Sequence, residues 1–226
     1  MIVTIDGPAA AGKSTTARGV AEALGFKHMD TGAMYRAVTY YFLQKGIDPQ
    51  DSKAVAQALD ELDLQVEYQG REQLIRLNGQ LLTDELRLPE VTQGVSQVSA
   101  LAPVRQKMVT LQRELARHYD VVTEGRDMGT VVFPDAELKI YLVADLRTRA
   151  ERRRKELLAK GIDKSLDEVE QEIRARDEYD SSRTLSPLKP APDALVLDTT
   201  GLSIDEQVAY VVSNIKTMPK FKGGNA

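Results

Sequence analysis

The stretch Gly7-Pro8-Ala9-Ala10-Ala11-Gly12-Lys13-Ser14 constrains this chain more than any other. It fits the pattern G-x-x-x-x-G-K-[ST], which has a physical meaning only between a strand and a helix. Both flanks comply. Ile2-Val3-Thr4-Ile5 is a short β-branched run that predicts a buried strand, and Lys13 to Leu24 predicts a helix closed by Gly25, a position that favours a left-handed residue. A glycine-rich turn in that setting lets successive backbone N–H groups converge on one anion, and the helix N-terminus behind it adds unpaired donors and a partial positive charge. Residues Gly7 to Ser14, with Thr15 behind them, are therefore candidates to cradle a nucleoside triphosphate. Lys13 would reach the β- and γ-phosphates, and the Ser14 hydroxyl would ligate Mg²⁺.

Length and composition narrow the class. A chain of 226 residues can bury a full core as one domain, or as one domain with an insert. With 30 Lys+Arg against 34 Asp+Glu it has no basic excess of the kind that announces nucleic acid. No apolar stretch approaches 18 residues, and the first residues run straight into a strand, so neither a membrane span nor a signal peptide is expected. The absence of cysteine removes disulfides, thiolate zinc sites and cysteine nucleophiles, and fits a reducing, cytoplasmic compartment. His28 and His118, the two histidines, lack a partner at ligand spacing and read as ordinary strand-end and helix-surface residues.

Strand and helix patterns alternate along the chain. Strands are expected at 2–5, 26–29, 120–123, 138–143 and 194–197, with helices at 13–24, about 33–44, 53–62, 104–118, 147–160, 166–179 and 204–215. Such alternation implies a parallel sheet covered by helices on both faces, with ligands outside the carboxyl ends of the strands. One segment departs from it. From Leu64 to Leu82 the apolar period is 2, and Asn78-Gly79 is a strong two-residue hairpin signal, so a small antiparallel insert is expected. The tail Lys220 to Ala226 reads as disordered.

Further polar constellations follow the predicted strands. Thr31 to Arg36 opens a helix opposite the phosphate loop, where Thr31 could be an N-cap or hold a second phosphate-bearing ligand together with Arg36. Glu124-Gly125-Arg126-Asp127 ends an apolar strand. An acidic residue there can hold Mg²⁺ through water, and Arg126 offers a bidentate fork for a phosphate. Arg147, Arg149, Arg152, Arg153 and Arg154 crowd two helical turns with Glu151 as the one acid among them. A charge run of this kind is usually a solvated face, but arginine also stabilises charge in phosphoryl transfer. Arg176 and Asp180 share a face of the next helix and Arg183 lies just beyond, so the two helices together suggest a basic lid. The base-reading Asn-Lys-x-Asp of a GTPase-type switch occurs nowhere.

Ile5-Asp6-Gly7-Pro8 with the phosphate loop, Asp30 to Arg36, the run Glu124 to Ala136 (EGRDMGTVVFPDA), and Arg176-Asp177 followed by Asp180 and Arg183 together resemble the bacterial cytidylate kinases, from about residue 2 to residue 215. The resemblance implies a three-layer α/β P-loop kinase. Its core would be residues 1–32, 104–145 and 184–226. A monophosphate-binding domain would span 33–103, with the antiparallel insert at about 63–83, and a helical lid 146–183. It implies transfer of a phosphoryl group from Mg²⁺-bound ATP to CMP or dCMP by a cytoplasmic monomer that engages neither nucleic acid nor membrane. Thr31, Tyr35 and Arg36 match the segment that cradles CMP; Arg126 and Arg183 match phosphate-binding arginines; Ser96, Arg105 and Asp127 match residues that recognise cytosine. Arg176 and Asp180 match residues near the ribose, and Arg149, Arg152 and Arg153 fall in the lid that closes on ATP. Lys13, Arg126 and those three lid arginines are then the catalytic candidates, and Ser14 and Glu124 the metal candidates, Glu124 through water. Two positions depart from the family pattern: Ala10 stands where relatives often carry glycine, and Glu124 where some carry aspartate.

Overall fold

The computed structural model describes residues 1–219 and 221. Five short strands form one parallel sheet: β1 (Ile2–Asp6), β2 (Lys27–Asp30), β6 (Val121–Gly125), β7 (Leu138–Val143) and β8 (Leu195–Asp198), in the order β2-β6-β1-β7-β8. Their alternating side chains feed two layers. Val3, Ile5, Val122, Ile140 and Leu142 pack with Val20 of α1 (Lys13–Leu24) and with Val211 and Ile215 of α8 (Ile204–Lys216). On the other face Val121 meets Met29, Met128, Val132 and Ala116, the last at the end of α5 (Ala102–Ala116). Burial on both faces is why these strands read as continuous apolar runs.

Register decides where the polar strand ends emerge. Asp30 lies opposite Glu124, Ile5 also opposite Glu124, and Asp6 opposite Gly125 and Tyr141. The ends of β1, β2 and β6 therefore stop level with one another, and everything that follows them opens onto one edge.

The insert forms a separate antiparallel sheet of β3 (Leu64–Gln69), β4 (Glu72–Leu77) and β5 (Gln80–Leu82). Asn78 (φ 49°) and Gly79 (φ 82°) make its tight turn, both with the positive φ that such a hairpin demands. Leu64, Val66, Ile75, Leu77 and Leu82 pack against Val38 and Phe42 of α2 (Thr31–Lys45) and against Val55 and Leu59 of α3 (Ser52–Glu61). Beyond the insert a 3₁₀ turn (Asp84–Arg87) leads into α4 (Pro89–Val98), a helix the periodicity did not announce. Proline at its first position suits a helix start, and Val91, Val95 and Val98 give it a buried face.

The basic run lies on α6 (Leu146–Leu158), which packs on α7 (Leu166–Ser182) through Ala150, Leu157, Val169 and Ile173. Asp145 caps the first helix, and Ser165 with Glu168 forms a capping box on the second. Of the tail expected to be disordered, Phe221 instead packs its ring 6.4 Å from that of Phe26; the remaining residues of that stretch lie outside the described residues.

Candidate active site

A cleft of about 1000 Å³ runs along the carboxyl edge of the parallel sheet. Its floor is the phosphate loop, through Ala9, Ala10, Gly12, Lys13, Ser14 and Thr15. Thr31, Gly32, Tyr35 and Arg36 of α2 and Thr92, Gln93 and Ser96 of α4 line one wall; Arg153, Arg176, Asp180 and Arg183 line the other. Glu124 to Met128 lie between them.

The loop keeps its shape for steric reasons. At Gly7 (φ 149°) a Cβ would stand 2.3 Å from the Leu142 carbonyl oxygen, so no other residue fits where the loop leaves β1. Gly12 (φ 93°) turns the chain into α1. Ala10 holds φ 58°, the left-handed region, although it carries a Cβ. Lys13 is buried, and its ammonium donates to the Pro8 carbonyl at 2.6 Å. Burial, then the charge of Arg126, lowers its pKa to about 7. Asp6, at the end of β1, is buried too, and its carboxylate accepts from the backbone N–H of Met128 at 2.9 Å and of Gly129 at 2.8 Å. Desolvation outweighs those two bonds and raises its pKa to about 6. These bonds fix the turn after Asp127, a single π-helical turn over Met128–Val132.

On the opposite side, side chains are held by other side chains and by backbone carbonyls. Asp127 (3% exposed) and Arg105 (7% exposed) form a buried ion pair, and Arg105 also donates to the Ser99 carbonyl at 3.2 Å. The Arg105 guanidinium lies 5.6 Å over the Tyr35 ring, a cation–π distance. Burial pushes the Tyr35 phenol up to about 12, so it remains a neutral donor. Asp180 is sandwiched between Arg126 at 2.8 Å and Arg183 at 2.6 Å, and Arg183 reaches on to the Ser96 carbonyl at 2.9 Å. Arg176 is held down to about 10 by burial and by Arg126, and its buried Nε has no hydrogen-bond partner among the described residues. Arg126 thus raises the cost of charge on both Lys13 and Arg176. An anion between them would relieve it.

Ser14 and Glu124 both face the cleft, and Glu124 is buried, with the His28 Nε2 at 3.9 Å. A hydroxyl and one carboxylate beside a phosphate site are a donor set that suits Mg²⁺, which keeps several waters and takes few protein ligands.

The family model for cytidylate kinases matches residues 3–217. The chain belongs to the cytidylate kinase family. Relatives named cytidylate kinase include one from Lactobacillus johnsonii, 47% identical over 97% of this chain and 96% of its own, and one from Carboxydothermus hydrogenoformans, 46% identical over 95% and 97%. Among solved structures, an uncharacterized protein from Eubacterium ventriosum superposes with a TM-score of 0.52 at 10% identity, over 96% of this chain and 99% of its own, a likeness of fold alone.

Against that family pattern, most of the residues expected from the sequence do meet in the cleft, but not all. Gly7, Pro8 and Ala11 back the loop rather than line the cavity. Of the three arginines expected in a lid only Arg153 faces it; Arg149 is buried against Asp177, and Arg152 donates to the Thr199 hydroxyl at 3.1 Å and to its carbonyl. Thr31 is not the cap of α2. Asp30 takes that place by accepting from Ala33 N–H at 2.7 Å, which frees the Thr31 hydroxyl to donate to the Glu124 carbonyl at 2.6 Å. Asp30 also holds Arg36 at 3.1 Å. The basic run meets acids at Arg147–Glu151 (3.9 Å) and Arg153–Glu156 (3.0 Å).

Residues that the sequence reading gave no role stand out as well. Asp6 carries the same strand-end acidic signal as Glu124 and was findable on that ground. Arg87, Lys160 and Lys164 add positive charge to the rim, and no motif marks them. Ser99 is visible only once α4 and α5 are placed against each other.

Proposed function

We propose that this chain transfers the γ-phosphoryl group of ATP to CMP or dCMP, releasing ADP and CDP or dCDP. The observation that carries the reading is the buried Arg105–Asp127 pair facing the phosphate loop across one cleft. Cytosine offers an N4 amino donor beside acceptors at N3 and O2. A carboxylate that accepts from N4, next to a guanidinium that donates to the acceptors, complements that edge. Uracil would set its O4 acceptor against the carboxylate and leave buried polar groups mismatched, and sites built on such bonds discriminate strongly.

The rest of the cleft serves alignment and charge. The backbone of Ala10 to Thr15 and the Lys13 ammonium hold the donor phosphates, and Arg36, Arg126 and Arg183 hold the acceptor phosphate. Tyr35 and Ser96 flank the base, and Arg176 and Asp180 the ribose. Ser14, and Glu124 through water, would hold Mg²⁺, which when bound would supply charge neutralisation at the donor phosphates. An oxygen of the acceptor phosphate forms the new P–O bond as the bond from the γ-phosphorus to the β–γ bridging oxygen breaks. The nucleophile is already an anion, so no general base is needed; Lys13, Arg126 and Arg153 offset the charge that spreads over the transferring group. Movement of α6 and α7 over the cleft would exclude water and suppress hydrolysis of ATP. We assign residues 33–103 to acceptor binding and 146–183 to the lid. The protein would act as a cytoplasmic monomer; no helix among the described residues is long and apolar enough to cross a membrane.

The test is a coupled assay with Mg-ATP against CMP, dCMP, UMP, dTMP, AMP and GMP. CMP and dCMP should lead. A UMP rate equal to that of CMP overturns the cytosine assignment.

A further inference from the structure

Arg149 and Asp177 lie on different helices and meet at the phosphate loop. They form an ion pair with each other, Arg149 buried and Asp177 half-buried. Asp177 Oδ1 accepts from the Ala9 N–H at 2.9 Å, and Arg149 Nη1 donates to the Ala9 carbonyl at 3.0 Å. Arg149 Nε is itself tied to the Ala144 carbonyl at 3.1 Å, just past the end of β7. Ala9 and Ala10 complete the apolar cluster of Ala150, Leu157, Val169 and Ile173 between α6 and α7. Both polar groups of one residue are therefore gripped by a charge pair whose arginine is anchored to the sheet.

The residue gripped is the one before Ala10. A Cβ-bearing residue in the left-handed region persists only where its surroundings over-determine the backbone. Gly at that position would need no such support. The same loop turns Ala10, Gly12 and Lys13 into the cleft, so the direction of their N–H groups depends on the conformation Ala10 keeps.

We propose that Arg149 and Asp177 are positioning residues that clamp Ala9 between the root of the lid and the sheet, holding the phosphate loop in its ATP-binding shape with alanine at position 10. Arg149 then acts through the loop rather than on the transferring phosphoryl group. The inference rests on the ATP half of the proposed function and leaves the identity of the acceptor open.

The experiment uses the full chain and two readouts: the Kd of Mg-ATP by calorimetry, without acceptor, and the KM values for ATP and CMP. Asp177→Asn keeps an acceptor for the Ala9 N–H but removes the charge pair; Arg149→Lys keeps the charge but loses the fork. Each should weaken ATP binding about tenfold while the KM for CMP stays within about twofold, and Ala10→Gly added to either should recover most of that loss. Thermal unfolding is followed in parallel. If Asp177→Asn does not fold, Arg149→Lys with and without Ala10→Gly carries the test. Equal losses for ATP and CMP, unchanged ATP binding, or no recovery with glycine would each overturn the clamp. A wild-type chain that binds ATP but ignores CMP would sink the acceptor reading and leave this test intact.

Discussion

The two sides of the cleft are built on opposite plans. The side assigned to the donor is one continuous stretch of backbone, Gly7 to Thr15, with glycines at two forced positions and a helix that starts behind them. The side assigned to the acceptor is assembled from side chains of α2, α4, α5, α7 and the turn after β6, and its ion pairs join residues 22 and 54 positions apart in the chain. A backbone cradle binds any polyphosphate and has little to say about the base attached. A buried carboxylate and guanidinium have a fixed pattern of acceptors and donors, so they can tell one base from another. Generic chemistry sits where the chain is local, and selectivity where it is not.

Substitutions can break this contrast from either side. The largest effect is expected at Lys13. Lys13→Ala removes the buried cation proposed to meet the transferring group, so kcat should fall about 10²–10³-fold, equally for CMP and UMP, because a backbone phosphate cradle does not read the base. A loss confined to one acceptor, seen in steady-state assays with both, would refute the division of labour. Asp127→Asn comes next. It keeps the size of the side chain and removes the charge, so the ratio of kcat/KM for CMP over UMP should fall about 10²-fold while the Kd of Mg-ATP changes little. Because Arg105 would be left as a buried cation, a drop of about 3 kcal/mol in stability should accompany it, read from denaturant unfolding. An unchanged ratio with that stability loss would give Asp127 a purely structural role.

The smallest effect is on pH. Free Lys13 is lowered to about 7 by burial and by Arg126, whereas bound phosphates would restore its charge. The complex therefore holds a proton that the free enzyme loses as pH rises through 7. Kd for Mg-ATP should rise up to about tenfold per pH unit between pH 7.5 and 9, a range in which a phosphate group with pKa near 6 is already ionised. Calorimetry in two buffers of different ionisation enthalpy should show uptake of about one proton. A flat profile would mean that Lys13 stays charged in the empty cleft.

Much of the fold was legible because its signals are short-range. The β-branched run before Gly7, the LKIYLV strand and the Asn78-Gly79 turn each carry their own period or turn chemistry. Helix α4 was not, because Thr92, Gln93, Gly94 and Ser96 weaken its pattern and its buried face becomes meaningful only against α2 and the insert. Arg149, Arg152 and Arg153 are indistinguishable by composition, since all three are arginines within two turns of one helix. Their directions differ by the helical rotation, and what each meets depends on where the sheet and the phosphate loop lie.

By itself, then, the sequence determined the triphosphate loop, the alternating strands and helices, the antiparallel insert and the resemblance to one kinase family. Each of these depends on residues close together in the chain, where steric limits and hydrogen-bonding period leave few choices. Tertiary structure alone decided that Asp180 stands between Arg126 and Arg183, that Asp6 holds the turn after Asp127, and that Arg149 and Asp177 grip Ala9. Apart from Asp180 and Arg183, three positions apart, those are pairings of charges and backbone groups far apart in sequence. Their partners are chosen by desolvation, which forces each buried polar group to find a mate only after the layers have packed.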